Sequence, residues 1–294
     1  MSTKKRIAVT GGHGKVGRVL VKYLKEKGYD VFTIDNDGAD YLKEPFMKAD
    51  LTDFGQTLDA LSSVGKDVYG LPQQKAFDVI IHLAGMGHQR VIPDGEELKT
   101  NVSVYYNVFE AARRLGIKDV IWAASEVAIG VPLDKTGVAY VPIDEAYPMR
   151  AYNVYALTKV LGEEMARQYC INDPEMRITC LRLSNVIDPE EYAEFKTWQD
   201  DPTQRIWNLW TYIDNRDAAQ AFELAINYEA RGKEDFFITN DETVMRTPTA
   251  ELLEAYFPDV KQQKSFTGNE TVISNKKAKE VLGFQPQFPW TKQV

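Results

Sequence analysis

Thr10-Gly11-Gly12-His13-Gly14-Lys15-Val16-Gly17 separates two patterns of different period. Before it, residues 6–10 are a short apolar run that reads as a buried strand. After it, Val16, Val19, Leu20, Tyr23 and Leu24 recur at helical spacing over 16–27, and Gly28 marks the end. A strand, a glycine turn and a helix in that order make a phosphate cradle. The small residues let backbone N–H groups approach a pyrophosphate, and the helix N-terminus adds its partial positive charge. The spacing of Gly11, Gly14 and Gly17 differs from the common G-x-G-x-x-G form. Its context supplies the specificity: a second strand, 31–34, follows the helix and closes on Asp35.

Working outward, 77–83, 120–124 and 178–183 read as further strands. Helical patterns lie at 96–115 and 152–169. Strands alternating with helices imply βαβ units, so the expected fold is α/β: a doubly wound parallel sheet of Rossmann type with a small discontinuous C-terminal substrate lobe. The nucleotide-binding part is expected over 1–185 and 212–239, and the lobe over 186–211 and 240–294. Within these, 212–228, 249–257 and 275–282 read as helices and 236–239 as a strand.

Composition bounds the rest. The 294 residues carry 35 Lys plus Arg against 43 Asp plus Glu, and the net charge of −8 has no basic footprint for nucleic acid or an anionic membrane. Cys170 and Cys180 are too few for a disulfide scaffold and lack metal-type spacing, so both read as buried thiols. No signal peptide or membrane span is legible, and the expectation is a cytoplasmic protein.

Asp35 is placed to accept hydrogen bonds from an adenosine ribose and to repel a 2′-phosphate, which favours NAD over NADP; its other reading is a turn cap. Lys15 would soften that preference. His13 reads as an incidental loop residue. Tyr155 and Lys159 are four apart on a helical pattern, so phenol and ammonium share a face. Ser125 follows the strand 120–124 at its carboxyl end, where open α/β sheets bind ligands. A free tyrosine titrates near pKa 10, and an adjacent ammonium favours its phenolate.

With these residues assembled, the chain resembles the extended short-chain dehydrogenases/reductases of the NAD-dependent epimerase/dehydratase type. The resemblance runs through the glycine stretch, Asp35, Asp50-Leu51-Thr52-Asp53, His82-Leu83-Ala84-Gly85, Asn101, Ser125, Tyr155 with Lys159, and Leu181-Arg182-Leu183-Ser184-Asn185. It continues in Tyr212-Ile213-Asp214 before Arg216-Asp217, and in Lys277-Ala278 before Leu282-Gly283-Phe284. It implies NAD as cofactor, cradled by Gly11, Gly14, Lys15, Val16 and Gly17. Asp50 and Leu51 would lie near the adenine, and Leu83, Ala84 and Gly85 would pass their backbone under the cofactor. Tyr155 would be the general acid/base, Lys159 its electrostatic partner and a ligand of the nicotinamide ribose. Ser125 would hold the substrate oxygen, Asn101 would order the site, and Asn185 would sit near nicotinamide and substrate. It also implies a homodimer through the helices of Asn101 and Tyr155, although Tyr105, Tyr106 and Phe109 fit a monomer core equally.

Two departures bear on the reaction. Family dehydratases follow the catalytic Ser or Thr with an Asp-Glu pair, whereas Ser125 is followed by Glu126 and Val127, which disfavours dehydration. Nucleotide-sugar epimerases place an arginine two residues before the tyrosine of their Tyr-Ile-His segment, on the substrate diphosphate; here that position is Trp210. An indole cannot replace the charge. Trp207 and Trp210 either pack on a small sugar or form lobe core. Arg205, Arg216 and Lys264 either meet an anion or are surface charges, Arg182 reads as structural, and His88, in a loop, and Glu126, after Ser125, are candidates for substrate contact. The expectation is hydride transfer at a hydroxyl or carbonyl carbon of a sugar, sugar acid or polyol. The alternatives are a nucleotide-sugar epimerase and a non-catalytic redox sensor.

Overall fold

A computed structural model of the chain describes residues 4–37, 46–62, 77–87, 92–130 and 137–293. Seven strands form one sheet: β1 (Arg6–Thr10), β2 (Asp30–Asp35), β3 (Phe46–Lys48), β4 (Val79–His82), β5 (Asp119–Ser125), β6 (Arg177–Leu183) and β7 (Gly232–Ile238), in the order β7-β6-β5-β4-β1-β2-β3. The pairs β1–β2, β1–β4, β2–β3 and β4–β5 are parallel. The chain winds from β1 to β3 in one direction, then resumes at β4 on the other side of β1. That reversal makes the carboxyl ends of β1 and β4 the topological switch point, where such sheets bind ligands. Every residue of β1, β4 and β6 is buried, as strands covered on both faces require.

The helices are α1 (Lys15–Glu26), α2 (Phe54–Leu61), α3 (Asp94–Leu115), α4 (Val154–Asn172), α5 (Asn215–Ile226) and α6 (Thr249–Tyr256). Local chemistry sets their ends. Asp53 accepts from the Gln56 N–H and caps α2; Gly116, at φ 70°, ends α3 in the left-handed conformation. Asn153 accepts from the Ala156 N–H at 2.8 Å, which starts α4 and puts Tyr155 in its first turn.

The structure departs from expectation in two places, residues 212–214 and β3. Residues 212–214 are not helical: Ile213–Asp214 pairs in parallel with Val186–Ile187, and α5 starts at Asn215. The helix expected at 275–282 forms over 276–282, with Ala278–Leu282 in the wider π-helical form. β3 was not anticipated, since three residues show no periodicity.

Contacts group the chain into two compact units. One comprises Met1–Ala123, Leu161–Cys180 and Ala225–Glu234; the other comprises Ala124–Val160, Leu181–Leu224 and Asp235–Val294. The second unit has its own aromatic core, including Tyr192, Phe195, Trp198, Trp210, Tyr212 and Trp290. Among the described residues no helix is long and apolar enough to cross a membrane.

Candidate active site

The first unit builds the cradle from backbone. Gly11 has φ 71°, and a Cβ there would lie 2.7 Å from the Ala84 nitrogen. A Cβ on Gly17 would lie 2.3 Å from the Gly11 carbonyl oxygen. Only glycine fits either position, so the start of α1 is drawn tightly against the loop. The Gly14 N–H donates to the Gly11 carbonyl at 3.1 Å, and α1 begins at Lys15 with no side-chain cap. Uncapped N–H groups at a helix N-terminus are the usual seat of a phosphate. At the end of β2, Asp35 Oδ2 accepts from the His13 N–H at 2.9 Å and Oδ1 from the Asn36 N–H at 2.8 Å.

Side chains brace this frame. Thr10 Oγ1 and His82 Nδ1 are 2.7 Å apart, joining the ends of β1 and β4. Asn101 on α3 is fully buried; its Oδ1 accepts from the Met86 N–H at 2.7 Å and its Nδ2 donates to the Met86 carbonyl at 3.0 Å. One side chain thereby fixes the loop that carries Leu83, Ala84 and Gly85. Asn107 Nδ2 donates to the Leu51 carbonyl at 2.8 Å, and Asp50 Oδ1 accepts from the Thr52 N–H and hydroxyl, so the Asp50-Leu51 turn is also held.

The second unit holds Tyr155, Lys159 and Ser125, the side chains expected from the sequence to react. Lys159 Nζ lies 5.5 Å from the Tyr155 ring centroid; Lys159 is buried and Tyr155 half-buried, one helical turn apart. Ser125 ends β5, and its Oγ accepts from the Val127 N–H at 3.3 Å.

Glu126, directly after Ser125, is the centre of a buried polar network. Its Oε1 accepts from the Asn185 N–H (3.2 Å) and Asn208 Nδ2 (3.3 Å), and its Oε2 from Thr211 Oγ1 (2.9 Å). Burial pushes its pKa up to about 6, against the hydrogen bonds of Ser184, Thr211 and Asn208 and the charge of Arg205. With the Asn185 amide oxygen turned toward Arg205, it accepts from both terminal guanidinium nitrogens at 3.0 and 3.1 Å. The guanidinium lies 4.4 Å from the Trp198 ring and 5.2 Å from the Trp207 ring, and burial lowers its pKa to about 10. Leu209 and Trp210, consecutive non-glycine residues at φ 54° and 59°, turn the chain so that Thr211 reaches Glu126. Such a backbone costs on the order of 1 kcal/mol per residue and persists only where surroundings enforce it.

Several sequence readings change here. Trp210 is fully buried, donates from Nε1 to the Pro202 carbonyl at 2.8 Å and packs on Tyr256 and Phe257. It is lobe core and has no face for a sugar. Arg205 is not a surface charge but is 5% exposed. Glu126 is equally withdrawn, at 2% exposed, so its role is to hold its neighbours. Tyr105 and Phe109 are fully buried core, whereas Tyr106 is 48% exposed. His88 lies outside the described residues. Asn208 and Thr211 were missed; the one signal was their position just before Tyr212-Ile213-Asp214. His13, read as incidental, bonds through its ring to the Asp37 carbonyl. Arg182 is structural, paired with Asp235 at 3.4 Å, and both cysteines are buried and stand outside any disulfide.

Residues 7–200 match the profile of the NAD dependent epimerase/dehydratase family. The chain belongs to this family. UDP-glucose 4-epimerase 3 of Oryza sativa subsp. japonica is 28% identical over 231 residues, 75% of this chain and 58% of that protein. The chain thus spans under two-thirds of that relative's length. Among solved structures, a short-chain dehydrogenase/reductase superfamily protein from Agrobacterium tumefaciens with bound NAD aligns at TM-score 0.72 and 21% identity, covering 98% of this chain and 94% of the other. A mutated uronate dehydrogenase aligns at TM-score 0.67 and 23% identity, covering 97% and 82%. At these identities the likeness is one of fold. The family is NAD-dependent, and the glycine contacts of the first unit fit that cofactor: a Cβ at Gly11 or Gly17 would close the cradle.

Proposed function

We propose that this enzyme catalyses net hydride transfer at a hydroxyl or carbonyl carbon of a free sugar, sugar acid or polyol. Tyr155 is its general acid/base, Lys159 and Ser125 assist, and Asn185 meets the ligand. NAD, when bound, accepts or supplies the hydride. The Lys159 ammonium favours the Tyr155 phenolate electrostatically, so the phenolic oxygen takes the substrate hydroxyl proton during oxidation and returns it during reduction. Ser125 donates to the substrate oxygen as it gains carbonyl character. Gly11, Gly14, Lys15, Val16 and Gly17 take the pyrophosphate, Asp35 the adenosine ribose, and Asp50 and Leu51 the adenine. Leu83, Ala84 and Gly85 line the cofactor with backbone. Trp207 remains a candidate for packing on the sugar.

The observation that carries the preference for a small substrate is the state of the cations. Trp210 is core where nucleotide-sugar epimerases carry the diphosphate arginine. Arg205 is committed to Asn185 and to the Thr211 carbonyl at 3.3 Å, Arg216 makes a two-pronged pair with Asp214, and Lys264 pairs with Glu270. A diphosphate held by any of these three cations would have to displace its partner. The second reading, nucleotide-sugar epimerisation, is favoured by the name of the rice relative. NADH appearance over free aldoses, uronic acids, polyols and nucleotide sugars separates the two. Accumulating NADH with a free sugar supports oxidation; a change of configuration without net NADH supports epimerisation and overturns the first reading. Tyr155→Phe is expected to lower kcat by at least about 100-fold, the usual worth of general acid/base catalysis, with the melting temperature nearly unchanged. Unchanged turnover would remove Tyr155 from its role.

We also propose a homodimer, carried by exposed apolar groups on α3 and α4: Tyr106, Leu157 and Leu161, which are 48%, 37% and 38% exposed. Sedimentation equilibrium that finds only monomer would rule it out.

A further inference from the structure

The glycine loop carries one side chain that the chemistry above does not use. The His13 N–H donates to Asp35 Oδ2 at 2.9 Å, while its Nδ1 lies 2.5 Å from the Asp37 carbonyl oxygen. A carbonyl oxygen only accepts, so Nδ1 carries the proton and donates. The imidazole also packs edge-on to Phe46, with ring centroids 4.8 Å apart. The glycine loop, the end of β2 and the start of β3 are therefore pinned together by one ring. Asp35 Oδ1 accepts from the Asn36 N–H at 2.8 Å, so both carboxylate oxygens rest on backbone donors.

A fixed carboxylate and a movable one select differently. An added 2′-phosphate repels a carboxylate, and a carboxylate free to withdraw relieves that repulsion. Cations stand on the adjoining elements: Lys15 opens α1, and Lys48 is the register partner of Asp35 on β3. Withdrawal of Asp35 breaks two charge-assisted hydrogen bonds, and withdrawal of the whole 35–37 segment breaks the His13–Asp37 bond as well.

We propose that His13 is a specificity-determining residue for the cofactor: by tying the Asp35–Asp37 segment to the glycine loop, it keeps the ribose-binding carboxylate from yielding to a 2′-phosphate. This rests on the reading of Asp35 as the ribose acceptor and adds the residue that makes the selection strict. Asparagine is the conservative replacement, because its Nδ2 sits close to where the imidazole Nδ1 does and keeps a donor for Asp37.

Calorimetric titration of NAD and NADP into wild type, His13→Ala and His13→Asn tests the proposal without any substrate. Wild type is expected to prefer NAD. His13→Ala is expected to lower the ratio of NAD to NADP affinity about tenfold, the worth of one hydrogen bond, with little change in melting temperature. His13→Asn is expected to restore most of the ratio. An unchanged ratio in His13→Ala, equal weakening of both cofactors, or a failure of His13→Asn to recover it would overturn the proposal. A wild type without preference for NAD would instead overturn the reading of Asp35, and the role of His13 with it.

Discussion

Glu126 illustrates what a single buried carboxyl does beside the serine that ends β5. It is 2% exposed and serves three donors from residues 185, 208 and 211. Its pKa is raised from 4.5 to about 6, chiefly by burial. A raised folded-state pKa contributes stability that is fully present below the unfolded value and is lost as pH rises through the folded one. Glu126→Gln is neutral throughout. Its stability relative to wild type is therefore expected to rise by up to about 2 kcal/mol between pH 4.5 and 6 and to level off above. Urea unfolding over pH 4–8 reads this, and a constant difference across the window would contradict it. The residue scale also explains what was legible. The placement of Tyr155 and Lys159 one helical turn apart, and of Ser125 at a strand end, was readable because helical spacing and strand ends are local rules. Arg205, Asn208 and Thr211 were not, because their roles come from contacts with Ser125's neighbour, 82 residues away for Asn208 and 85 for Thr211.

At the scale of elements, one glycine sets how closely α4 approaches its neighbours in the first unit. A Cβ on Gly162 would lie 2.4 Å from Trp122 Cη2 and 3.1 Å from Tyr105 Cδ2, and both rings are fully buried. Gly162→Ala is expected to cost about 1–3 kcal/mol despite the better helix propensity of alanine. Gly95→Ala in α3, where nothing lies within 4 Å of the added carbon, is the contrasting case, neutral or stabilising by up to about 1 kcal/mol. Chemical denaturation of both variants checks the pair; equal effects would refute the close approach. The alternation of strand and helix was readable because apolar periodicity is written in each segment. Residues 212–214 were misread because Tyr212 and Ile213 extend the apolar pattern of α5 backward. Their strand conformation depends on Val186–Ile187, which no local period reveals.

The whole molecule joins such groups into one pH response. Asp217 accepts from the N–H groups of Gln287 and Phe288 at 2.9 and 3.0 Å, tying the C-terminal segment to α5, yet burial raises its pKa from 3.8 to about 6. Glu145 is raised as well, and Glu126 with it. Glu110 behaves oppositely: hydrogen bonds from Arg113, Arg114 and Tyr169 hold it at about 2. The sign follows for each class. Between pH 6 and about 4, the raised carboxyls bind protons in the folded state while their unfolded counterparts stay ionised, so stability increases as pH falls. Below that, the unfolded chain takes up protons that Glu110 refuses, and the trend reverses. The chain has only three histidines, so little opposes the carboxyls near neutrality. Stability measured by urea midpoint is therefore expected to rise from pH 7 to a maximum near pH 4.5 and to fall at lower pH. A midpoint that drops steadily from pH 7 downward would mean that the buried carboxyls of Glu126 and Asp217 ionise as freely in the folded protein as in the unfolded chain.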